Sequence, residues 1–447
     1  MTKIINNDPI EGTIDTFGVE LRKIDFLFRK FTDVINRYGY EQLEVPLIER
    51  ATSFSEDIVG QSPWPEWDKR GCFYLKINNY LHSFENIDNT IDALLIPEGT
   101  IPVTRWLGKY LDSIPDTTLP LKVFYKLPCF RNELIDSLSE TKRRQFNQFG
   151  IEILGSNKLA SDVEIIYLIK RLLVEVGVPS SQIRIRISNV GIFNKLIREC
   201  QISKDDSISL KEAMDTIAEC RAGKKPERKT ENEIKFKTIV DKYSLTNDQE
   251  KMWSTILNHK EGIITSSIYE TFEESYKPYL DELTLLCNEL ITNDVNSMLD
   301  LCVVRSHEYY TGISFEVDVN TPNAQFIEIA GGGRYDKLVG SFVKQYKQDV
   351  IPSTGFAFGL ERVVALLETI GMFNQTASFM STITFDKSNA DTVIVLNEML
   401  NPVNQYFKAV DIIELSPNKR FDIYFGNNQN VIEYQIQRGI KNLLNIQ

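Results

Sequence analysis

Two short strings contain arginines of a kind that could bind phosphate. They are F-R-N-E at Phe130–Glu133 and G-F-A-F-G-L-E-R at Gly355–Arg362. Guanidinium groups are planar, permanently charged and forked, so they match phosphate oxygens better than lysine does. A site that brings a carboxylate to a triphosphate needs such cations, because two unit charges ~4 Å apart interact by about 4 kcal/mol at an effective dielectric near 20. Either string alone is more simply a surface Arg–Glu pair. The two together favour a phosphate-binding site.

Length and composition describe an ordinary soluble protein of two or three domains. The chain has 447 residues, of which 42% are hydrophobic and 25% charged. It lacks an apolar run of about 18 residues, and its N-terminus lacks a signal-peptide core, so we expect no membrane span. The six cysteines form no C-x-x-C and the three histidines are not paired at metal spacing. We therefore predict no metal site and a reducing, cytoplasmic location.

The overall charge does not favour nucleic acid. A net charge of −12 leaves any such contact to a local basic patch. The strongest candidate is the run Arg221–Lys229, with five cations and one anion. Charge runs are usually solvated, and we interpret this one as a solvated loop.

The first elements are readily assigned from periodicity. Leu21–Tyr38 has apolar residues every three or four positions, which predicts an amphipathic helix. Glu41–Glu49 alternates like a strand, but it contains Pro46. Proline has no N–H for a sheet ladder, so this strand should lie at an edge or an interface.

The order of the remaining signals predicts a discontinuous main domain. Strand signals before residue 190 and after residue 297 enclose a helical, lysine-rich stretch, Ile192–Leu290. We predict an α+β fold: an antiparallel sheet flanked by helices, at 1–185 and 296–370, with a helical insertion at 186–295. The predicted strands are Ala93–Ile96, Val123–Tyr125, Phe149–Leu154, Gln182–Ser188, Met298–Val304, Ile313–Val319 and Phe326–Ala330; Ser161–Val176 is a predicted helix, and Phe356–Leu367 turns from strand to helix.

The last part of the chain, 371–447, predicts a small α/β domain. Asp391–Leu396 and Phe421–Phe425 have strand character, and Val431–Leu444 has helical character. The chain contains neither G-x-x-x-x-G-K-[ST] nor G-x-G-x-x-G, so nucleotide binding on a parallel sheet is unsupported. Gly331–Gly333 is either a tight turn or a stretch of bare backbone that a ligand can approach closely.

Taken in chain order, seven strings point to one family. The sequence resembles the histidyl branch of the class II aminoacyl-tRNA synthetases over most of residues 10–185 and 296–368. Each string is modest support alone, but their common order is specific. The strings are G-Y-E-Q-L-E-V-P at 39–46, P-E-G-T at 97–100, F-R-N-E at 130–133, R-R-Q-F-N-Q-F-G-I-E at 143–152, R-S-H-E-Y-Y-T-G at 305–312, A-G-G-G-R-Y-D at 330–336 and G-F-A-F-G-L-E-R at 355–362.

The resemblance implies three catalytic arginines. Arg131 matches the residue that binds the α-phosphate of ATP, and Arg362 matches the one that stacks on adenine and reaches the γ-phosphate. Arg305 matches the arginine that neutralises charge while the substrate carboxylate attacks phosphorus. That carboxylate is already ionised at neutral pH, so no general base is needed. The ATP-binding set that the resemblance implies is Arg131, Glu133, Lys142, Arg144, Phe146 and Arg362.

The resemblance also implies an amino-acid pocket. Glu98, Thr100 and Gln148 match residues that receive an α-ammonium group, a role for hydrogen-bond acceptors. Glu152 and Tyr310 match residues that bind the imidazole ring, and Tyr309 and Tyr335 line the same pocket. Two tyrosines in a strand more often pack a core, but Arg305 nearby favours a pocket. Period two places Glu152 and Gln148 on one sheet face.

Four features depart from the family pattern. Ile96 stands where the family has an arginine before P-E-G-T, and Lys142 with Arg143 replaces an Arg–Tyr pair, which predicts weaker ATP binding. The loop Leu134–Thr141 is longer and lacks R-P-Q, and the tail is shorter than the family's anticodon-binding domain. The regions that would face tRNA therefore differ more than the activation centre.

The resulting expectation is a histidine–tRNA ligase that uses ATP with Mg2+, acts on histidine and tRNA, and forms a homodimer in the cytoplasm. Two alternatives stay open. One is a paralogue that activates histidine, or a related amino acid, without charging tRNA. The other is a non-catalytic relative, similar to the regulatory subunit of ATP phosphoribosyltransferase, although such relatives typically lose the arginines that remain here at 131 and 362.

Overall fold

The structure is a computed structural model that describes most of the chain. The described residues are 8–16, 19–60, 70–82, 84, 87–113, 118–139, 142–221, 223, 226–259, 266–305, 309–322, 326–344, 350–375, 390–397, 399–437 and 440–446. Residues Ser306–Glu308 of the R-S-H-E-Y-Y-T-G string, and the end of the loop Leu134–Thr141, lie outside them.

Helices and strands alternate through the first half and the last third of the chain. As far as β7 the elements are α1 (Val19–Arg37), β1 (Glu41–Gln42), β2 (Ile48–Arg50), α2 (Glu56–Val59), β3 (Tyr74–Tyr80), β4 (Ile87–Leu95), α3 (Thr100–Leu111), β5 (Leu121–Phe130), β6 (Gln145–Leu154), α4 (Leu159–Glu175) and β7 (Ile183–Asn189). The helices α5 (Val190–Glu199), α6 (Lys204–Arg221), α7 (Lys229–Val240), α8 (Asn247–Asn258), α9 (Ser266–Thr271) and α10 (Lys277–Thr292) follow. The remainder comprises β8 (Ser297–Leu299), β9 (Ile313–Asn320), β10 (Phe326–Arg334), β11 (Ser353–Gly359), α11 (Leu360–Thr369), α12 (Met372–Gln375), β12 (Thr392–Val395), α13 (Pro402–Glu414), β13 (Phe421–Tyr424), α14 (Val431–Gln437) and β14 (Asn442–Asn445).

The main domain is built on an eight-stranded sheet in the order β1-β5-β6-β11-β10-β9-β7-β8. The six central strands pair antiparallel, and only the two edge strands, β1 and β8, pair parallel to their neighbours. This sheet with its flanking helices confirms the predicted fold class. A second, three-stranded sheet in the order β2-β4-β3 lies beside it.

The two faces of the large sheet have different surroundings. Alternate residues such as Phe149, Ile151 and Ile153 of β6 enter the main core, where α1, α4 and α11 cover them. The intervening residues point to the opposite face, as expected from period two. On that face a second core that includes Tyr125 and Leu127 leaves room for a cavity.

Several predicted boundaries were wrong for local reasons. The strand predicted at Glu41–Glu49 divides into β1 and β2, since Pro46 cannot continue a ladder. β8 is only three residues long, whereas Met298–Val304 was predicted. Gly331–Gly333 forms neither a turn nor a loop but the interior of β10, where it pairs with β9 and β11.

The insertion is helical, as predicted, but it is tied to the sheet. β7 continues to Asn189, which pairs with Ile313, so the large sheet extends beyond residue 185. The run Arg221–Lys229 is not simply a solvated loop. Arg221 ends α6, its side chain is only 11% exposed, and it pairs with Asp300. Residues 222, 224 and 225 of that run lie outside the described residues.

The C-terminal segment is a small α/β unit, as predicted, with a parallel sheet in the order β13-β12-β14. The helix predicted at Val431–Leu444 ends at Gln437, and Asn442–Asn445 forms a strand instead. Pairing with β12 decides this assignment, because four residues carry too little periodicity to indicate it. Helix α13 was not predicted. Among the described residues, no helix is both long and apolar enough to cross a membrane.

A buried lysine joins the C-terminal unit to the main domain. Lys122 of β5 is fully buried, and its Nζ lies 3.2 Å from Glu164 of α4 and 3.2 Å from Asp422 of β13. Its ammonium also lies 4.6 Å from the ring centroid of Phe425. Burial raises the pKa of Glu164 to about 7 although Lys122 opposes the shift. One cation therefore neutralises carboxylates from two separate parts of the chain.

We predict that Lys122→Met lowers the free energy of unfolding by about 3–5 kcal/mol, because it leaves two buried carboxylates without their cation. Urea unfolding measures the loss. Lys251→Met is the control, since Lys251 belongs to an exposed pair with Asp248 and should leave the urea midpoint unchanged. Equal midpoints for the two variants would remove Lys122 from its role in holding the domains together.

Candidate active site

A cavity of about 710 Å³ opens on the face of the large sheet opposite α1, α4 and α11. Its floor consists of small residues, among them Gly331 of β10 and Ala357 of β11, which pair directly with each other. Gly150 of β6 pairs with Ala357 in the same row. A Cβ on Gly150 would lie 2.3 Å from Tyr125 Cζ, and one on Gly331 would lie 2.4 Å from Arg305 Nη1. The glycines of this row therefore make room for the side chains of Tyr125 and Arg305.

The three arginines singled out from the sequence line this one cavity. Arg131 follows the last residue of β5, Arg362 lies in the first turn of α11, and Arg305 precedes β9. They come from positions up to 231 residues apart (362 − 131). The tertiary structure therefore brings arginines from three separate segments to one cavity, where carboxylates lie beside them.

Arg131 is held from two sides. Its Nε donates to the carbonyl oxygen of Pro97 at 3.1 Å, and its guanidinium lies 5.3 Å from the ring centroid of Phe146. Glu133 and Lys142 also line the cavity and pair with each other at 2.9 Å. A guanidinium over an aromatic ring in this way has a defined orientation.

Arg305 is the most constrained of the three. Its backbone has a φ of 53°, a left-handed conformation that costs a residue with a Cβ about 1–3 kcal/mol. Its Nη1 lies 3.2 Å from Glu316 Oε1 and 3.7 Å from Glu328 Oε1. Burial opposes its charge, yet Tyr310, Glu316, Glu328 and Asp215 together raise the pKa of the guanidinium. A Cβ on Gly331 would lie 2.4 Å from Arg305 Nη1, so a side chain there would displace the guanidinium.

The start of α3 carries the proposed ammonium-binding residues. Glu98 accepts hydrogen bonds from the backbone N–H of Thr100 at 2.8 Å and of Ile101 at 2.7 Å, two amides that begin the helix without internal partners. Burial raises the pKa of Glu98 although these bonds oppose the shift. Gln148 accepts from the backbone N–H of Gly99 at 2.7 Å. Glu98, Thr100 and Gln148 all line the cavity.

Glu152 is not among the residues that line the cavity but lies beneath two that do, Thr100 and Tyr335, and its contact with an imidazole ring stays a prediction. It accepts hydrogen bonds from Thr100 Oγ1 at 3.0 Å, Tyr125 Oη at 3.3 Å and Tyr335 Oη at 2.6 Å. Burial raises its pKa to about 8 despite the Tyr335 and Thr100 hydroxyls. Because Gly355, its partner on β11, has no side chain, the carboxyl has space there.

Three tyrosines form the adjoining wall. The rings of Tyr309 and Tyr310 are 4.7 Å apart, and those of Tyr309 and Tyr335 are 6.2 Å apart at an angle of 85°. All three are buried apart from the edges that line the cavity. Burial raises the pKa of each phenol, so the hydroxyls stay protonated and serve as donors at neutral pH.

One residue of the predicted ATP-binding set lies outside the cavity lining. Arg144 does not line the cavity; its side chain donates to the carbonyl oxygens of Glu133 and Glu11. Its neighbour Arg143 lines the cavity instead. The side chain of Arg144 holds the chain segments that surround the cavity, which a motif comparison does not distinguish from ligand contact.

The sequence interpretation missed several carboxylates. Asp215 and Glu219 of α6 reach the cavity, so the insertion contributes to the site. They are four residues apart and share one helix face, but charged helix faces are usually solvated. Burial, together with the neighbouring Glu316, raises the pKa of Asp215 to about 8. Further lining residues that the sequence interpretation missed include Arg70, Gly71, Asn132, Glu316, Glu328 and Glu361.

The carboxylates of the cavity bear on metal binding. In the described ranges, no group of three or more His, Cys, Asp or Glu side chains has an arrangement that could hold a metal ion. Mg2+ that accompanies a nucleotide generally uses one or two protein carboxylates together with phosphate oxygens. Glu133, Glu328 and Glu361 provide carboxylates on the cavity wall, so the donor set fits a nucleotide-bound Mg2+.

Comparison with known sequences identifies related proteins. A sequence model of the family described as Histidyl-tRNA synthetase matches residues 97–363. The Histidine–tRNA ligase of Sulfurisphaera tokodaii is 26% identical over 437 residues, which cover 94% of this chain and 89% of the relative. That of Sulfolobus acidocaldarius is 27% identical over 370 residues, covering 81% and 75%.

Solved structures share the fold. A structure described as an ATP phosphoribosyltransferase regulatory subunit/histidyl-tRNA synthetase from Bacillus halodurans superposes with a TM-score of 0.62 at 19% identity, over 99% of both chains. A histidyl-tRNA synthetase from Nostoc sp. gives a TM-score of 0.58 at 20% identity, over 98% of this chain and 90% of that one.

The fit of Glu152 beneath Gly355 yields a stability prediction. In Gly355→Ala the new Cβ would lie 1.5 Å from Glu152 Oε2 and 2.7 Å from the carbonyl oxygen of Ile151. We expect this overpacking to lower the free energy of unfolding by about 1–3 kcal/mol, measured by urea unfolding. Gly359→Ala, on the same strand, is the control: its Cβ meets only Arg362 Cβ, at 3.9 Å. Similar losses in the two variants would contradict the close fit.

Proposed function

The chain belongs to the histidyl-tRNA synthetase family, and from this premise we propose that it is a histidine–tRNA ligase that activates histidine with ATP and transfers it to tRNA. One observation carries the proposal: Arg131, Arg305 and Arg362 line the same cavity as Glu98, Thr100 and Gln148. Cations for a triphosphate thus lie beside acceptors for an ammonium group. This is the combination that adenylate formation requires.

In the activation step, an oxygen of the histidine carboxylate bonds to the α-phosphorus of ATP. The bond from that phosphorus to the oxygen bridging to the β-phosphorus breaks, and pyrophosphate leaves with the electron pair. Arg131 binds the α-phosphate and Arg362 binds the adenine and γ-phosphate end. Arg305 lies against the approaching carboxylate. Preorganised cations of this kind lower the barrier because they need no rearrangement as charge develops.

Mg2+ would enter with the nucleotide and screen the charge of its phosphates. The carboxylates that would complete its coordination are those on the cavity wall, Glu133, Glu328 and Glu361. Lys142, which stands where an arginine is usual, supplies a point charge near Glu133. We propose that it contacts the terminal phosphate in place of a bidentate guanidinium.

Histidine is selected at the lower end of the cavity. Glu98, Thr100 and Gln148 receive the α-ammonium group, while the imidazole lies among Tyr309, Tyr310 and Tyr335. Glu152 takes part by accepting a ring N–H after a hydroxyl that now donates to it, that of Thr100 or Tyr335, turns aside, while the remaining hydroxyls hold the carboxyl in place. A wrong side chain would leave these buried polar groups unpaired, which can give ~10⁴-fold rejection.

For the second step, a ribose hydroxyl of tRNA attacks the carbonyl carbon of the adenylate and AMP leaves. We propose that residues 371–447 and the insertion, 186–295, provide the surfaces that face tRNA, and that 1–185 with 296–370 forms the catalytic unit. We further propose a cytoplasmic homodimer formed at the β1 edge, where Pro46 follows the strand.

The proposal is tested by ATP–pyrophosphate exchange with each of the twenty amino acids, followed by charging of deacylated tRNA. We expect exchange with histidine alone. Arg305→Ala should lower its rate by about 10²–10³-fold, because a preorganised cation at the reacting centre is lost. Arg198→Ala removes an exposed arginine at the end of α5 and should leave the rate unchanged.

The outcomes separate the three functions. Exchange with histidine and charging of tRNA support the ligase. Exchange without charging would indicate the paralogue that passes the activated amino acid elsewhere. No exchange with any amino acid would overturn the enzyme and favour a non-catalytic binding protein.

The raised pKa of Glu152 generates a pH prediction. If ionised Glu152 accepts the ring N–H, histidine binds better as this carboxyl loses its proton, whose pKa is about 8. The KM for histidine should therefore fall about fivefold from pH 7 to pH 8, a range in which free imidazole, with a pKa of about 6.5, is mostly neutral and changes its charge only slightly. In Glu152→Gln the KM for histidine should be higher and independent of pH over this range.

The KM for ATP is the internal control and should not change over the same pH range in either protein. Steady-state exchange at saturating co-substrate measures both constants. An equal pH dependence in the wild type and Glu152→Gln would remove Glu152 from histidine recognition.

A further inference from the structure

A chain of buried ion pairs connects the helical insertion to Arg305. It begins at Arg221, the last residue of α6, whose Nη1 lies 2.7 Å from Asp300 Oδ1. Asp300 Oδ2 lies 3.3 Å from Arg186 Nη1. Arg186 Nη2 lies 2.5 Å from Glu316 Oε2, and Glu316 Oε1 lies 3.2 Å from Arg305 Nη1. Each of the two carboxylates uses one oxygen for each arginine that it joins.

The sheet register holds the inner part of this chain. Arg186 of β7 pairs with Glu316 of β9, and Glu316 pairs with Gly331 of β10, so the three occupy one row across the sheet. Gly331 is the residue whose missing side chain makes room for the Arg305 guanidinium. Arg186 and Asp300 are fully buried, and Glu316 is only 3% exposed. These groups therefore have few alternative positions.

Helix α6 meets the chain of ion pairs at more than one point. The carbonyl oxygen of Ala218 accepts a hydrogen bond from Arg186 Nη1 at 3.0 Å. Arg221 also donates to the carbonyl oxygen of Leu257, at the end of α8. Asp215 and Glu219 of the same helix line the cavity that holds Arg305. A shift of α6 would therefore move the Ala218 carbonyl relative to Arg186 and the Arg221 guanidinium relative to Asp300. It would also change the electrostatic field at Arg305, because Asp215 and Glu219 would move with the helix.

Alternating charges make this arrangement sensitive to interruption. A buried charge that loses its partner stays unneutralised in a medium of low dielectric, and the neighbouring groups must reorient or change protonation. Removing Arg221 leaves Asp300 with more negative charge to share with Arg186. Arg186, whose Nε also lies 2.7 Å from Asp318 Oδ2, is then drawn towards Asp300 and away from Glu316. Glu316, without Arg186, shifts together with the Arg305 guanidinium that it helps to hold.

We propose that Arg221, Asp300, Arg186 and Glu316 are positioning residues for adenylate formation, and that they transmit the position of the helical insertion to the guanidinium of Arg305. Arg221, Asp300 and Arg186 do not line the cavity, and they act through Glu316 and Arg305. The proposal rests on the proposed function, because it assigns a role to Arg305 in the activation step. It makes the insertion a working part of the active site, so that a ligand seated on α6 and α8 would alter the rate of activation.

The outer end of the chain provides the cleanest test. Arg221→Gln should lower kcat for histidine-dependent pyrophosphate exchange about tenfold, since a misplacement of ~1 Å caused far from the chemistry can cost up to about a hundredfold. The KM values for histidine and ATP should change less than about twofold, because the residues that bind them are untouched. Arg221→Lys, which keeps a cation beside Asp300, should restore most of kcat.

Arg171→Gln is the matched control. Arg171 of α4 is similarly buried, at 19% exposure against 11% for Arg221. It pairs with the carboxylates of Glu175 and Glu414, as Arg221 pairs with that of Asp300. It lies on a helix of the opposite face of the sheet. Its loss should affect urea stability as much as the loss of Arg221 does while kcat stays at the wild-type value. An equal fall of kcat in both variants would mean general destabilisation and would overturn the proposal.

A double variant tests whether the residues act as one chain. Arg221→Gln combined with Glu316→Gln should lower kcat no further than the more damaging single substitution, because both interrupt the same connection. Multiplicative effects would show that Arg221 and Glu316 act independently, which contradicts transmission.

A crystal structure of Arg221→Gln gives a result that does not depend on activity. We expect the contact of 2.5 Å between Arg186 Nη2 and Glu316 Oε2 to lengthen and the Arg305 guanidinium to shift together with Glu316; an unchanged position of the Arg305 guanidinium would overturn the proposal. If the wild type exchanges pyrophosphate with no amino acid, the proposed function fails, and this structure still decides whether α6 controls the position of Arg305.

Discussion

The ion pair between Arg305 and Glu316 is the interaction on which the site depends. A guanidinium must stay charged and oriented above the floor of a partly buried cavity, in a left-handed backbone conformation that is itself unfavourable. Two conditions make this possible: a carboxylate on the neighbouring strand, and no side chain at Gly331. Both are properties of one row across the sheet, so register errors there would abolish the site. The antiparallel sheet therefore positions charge as well as building a core.

Charge balance is the second theme. Carboxylates line the cavity beside the arginines, and several have a raised pKa because burial penalises their ionised form. Glu316 and Glu328 neutralise Arg305. Under the proposed function, a triphosphate would compete with these carboxylates for the same cation. Carboxylate partners therefore hold the arginine in a position where a polyanionic ligand could replace them.

Much of the fold was predictable because its signals are local. The apolar period of α1, the alternation in β7 and β9 and the change from strand to helix after Gly359 all appear within short windows. The predictions that failed have two causes. The helix predicted at Val431–Leu444 ends early because β14 pairs with a strand about fifty residues away, a contact that a short window does not contain. The strand predicted at Glu41–Glu49 divides at a proline, which is a local signal. Likewise, Arg143 and Arg144 have the same chemistry, and only the surrounding backbone carbonyls decide that Arg144 faces away from the cavity.

The sequence by itself determined most of the helices and strands, the order of the motifs and the identity of the three arginines, since each of these depends on a few neighbouring residues. Only the tertiary structure decided which groups share a space. It placed Glu152 beneath the wall, brought Asp215 and Glu219 from the insertion into the cavity, and joined Arg221 to Arg305 through residues from two strands and a connecting turn. Such contacts depend on strand register and helix packing between distant segments, and a pattern along one chain carries no measure of either.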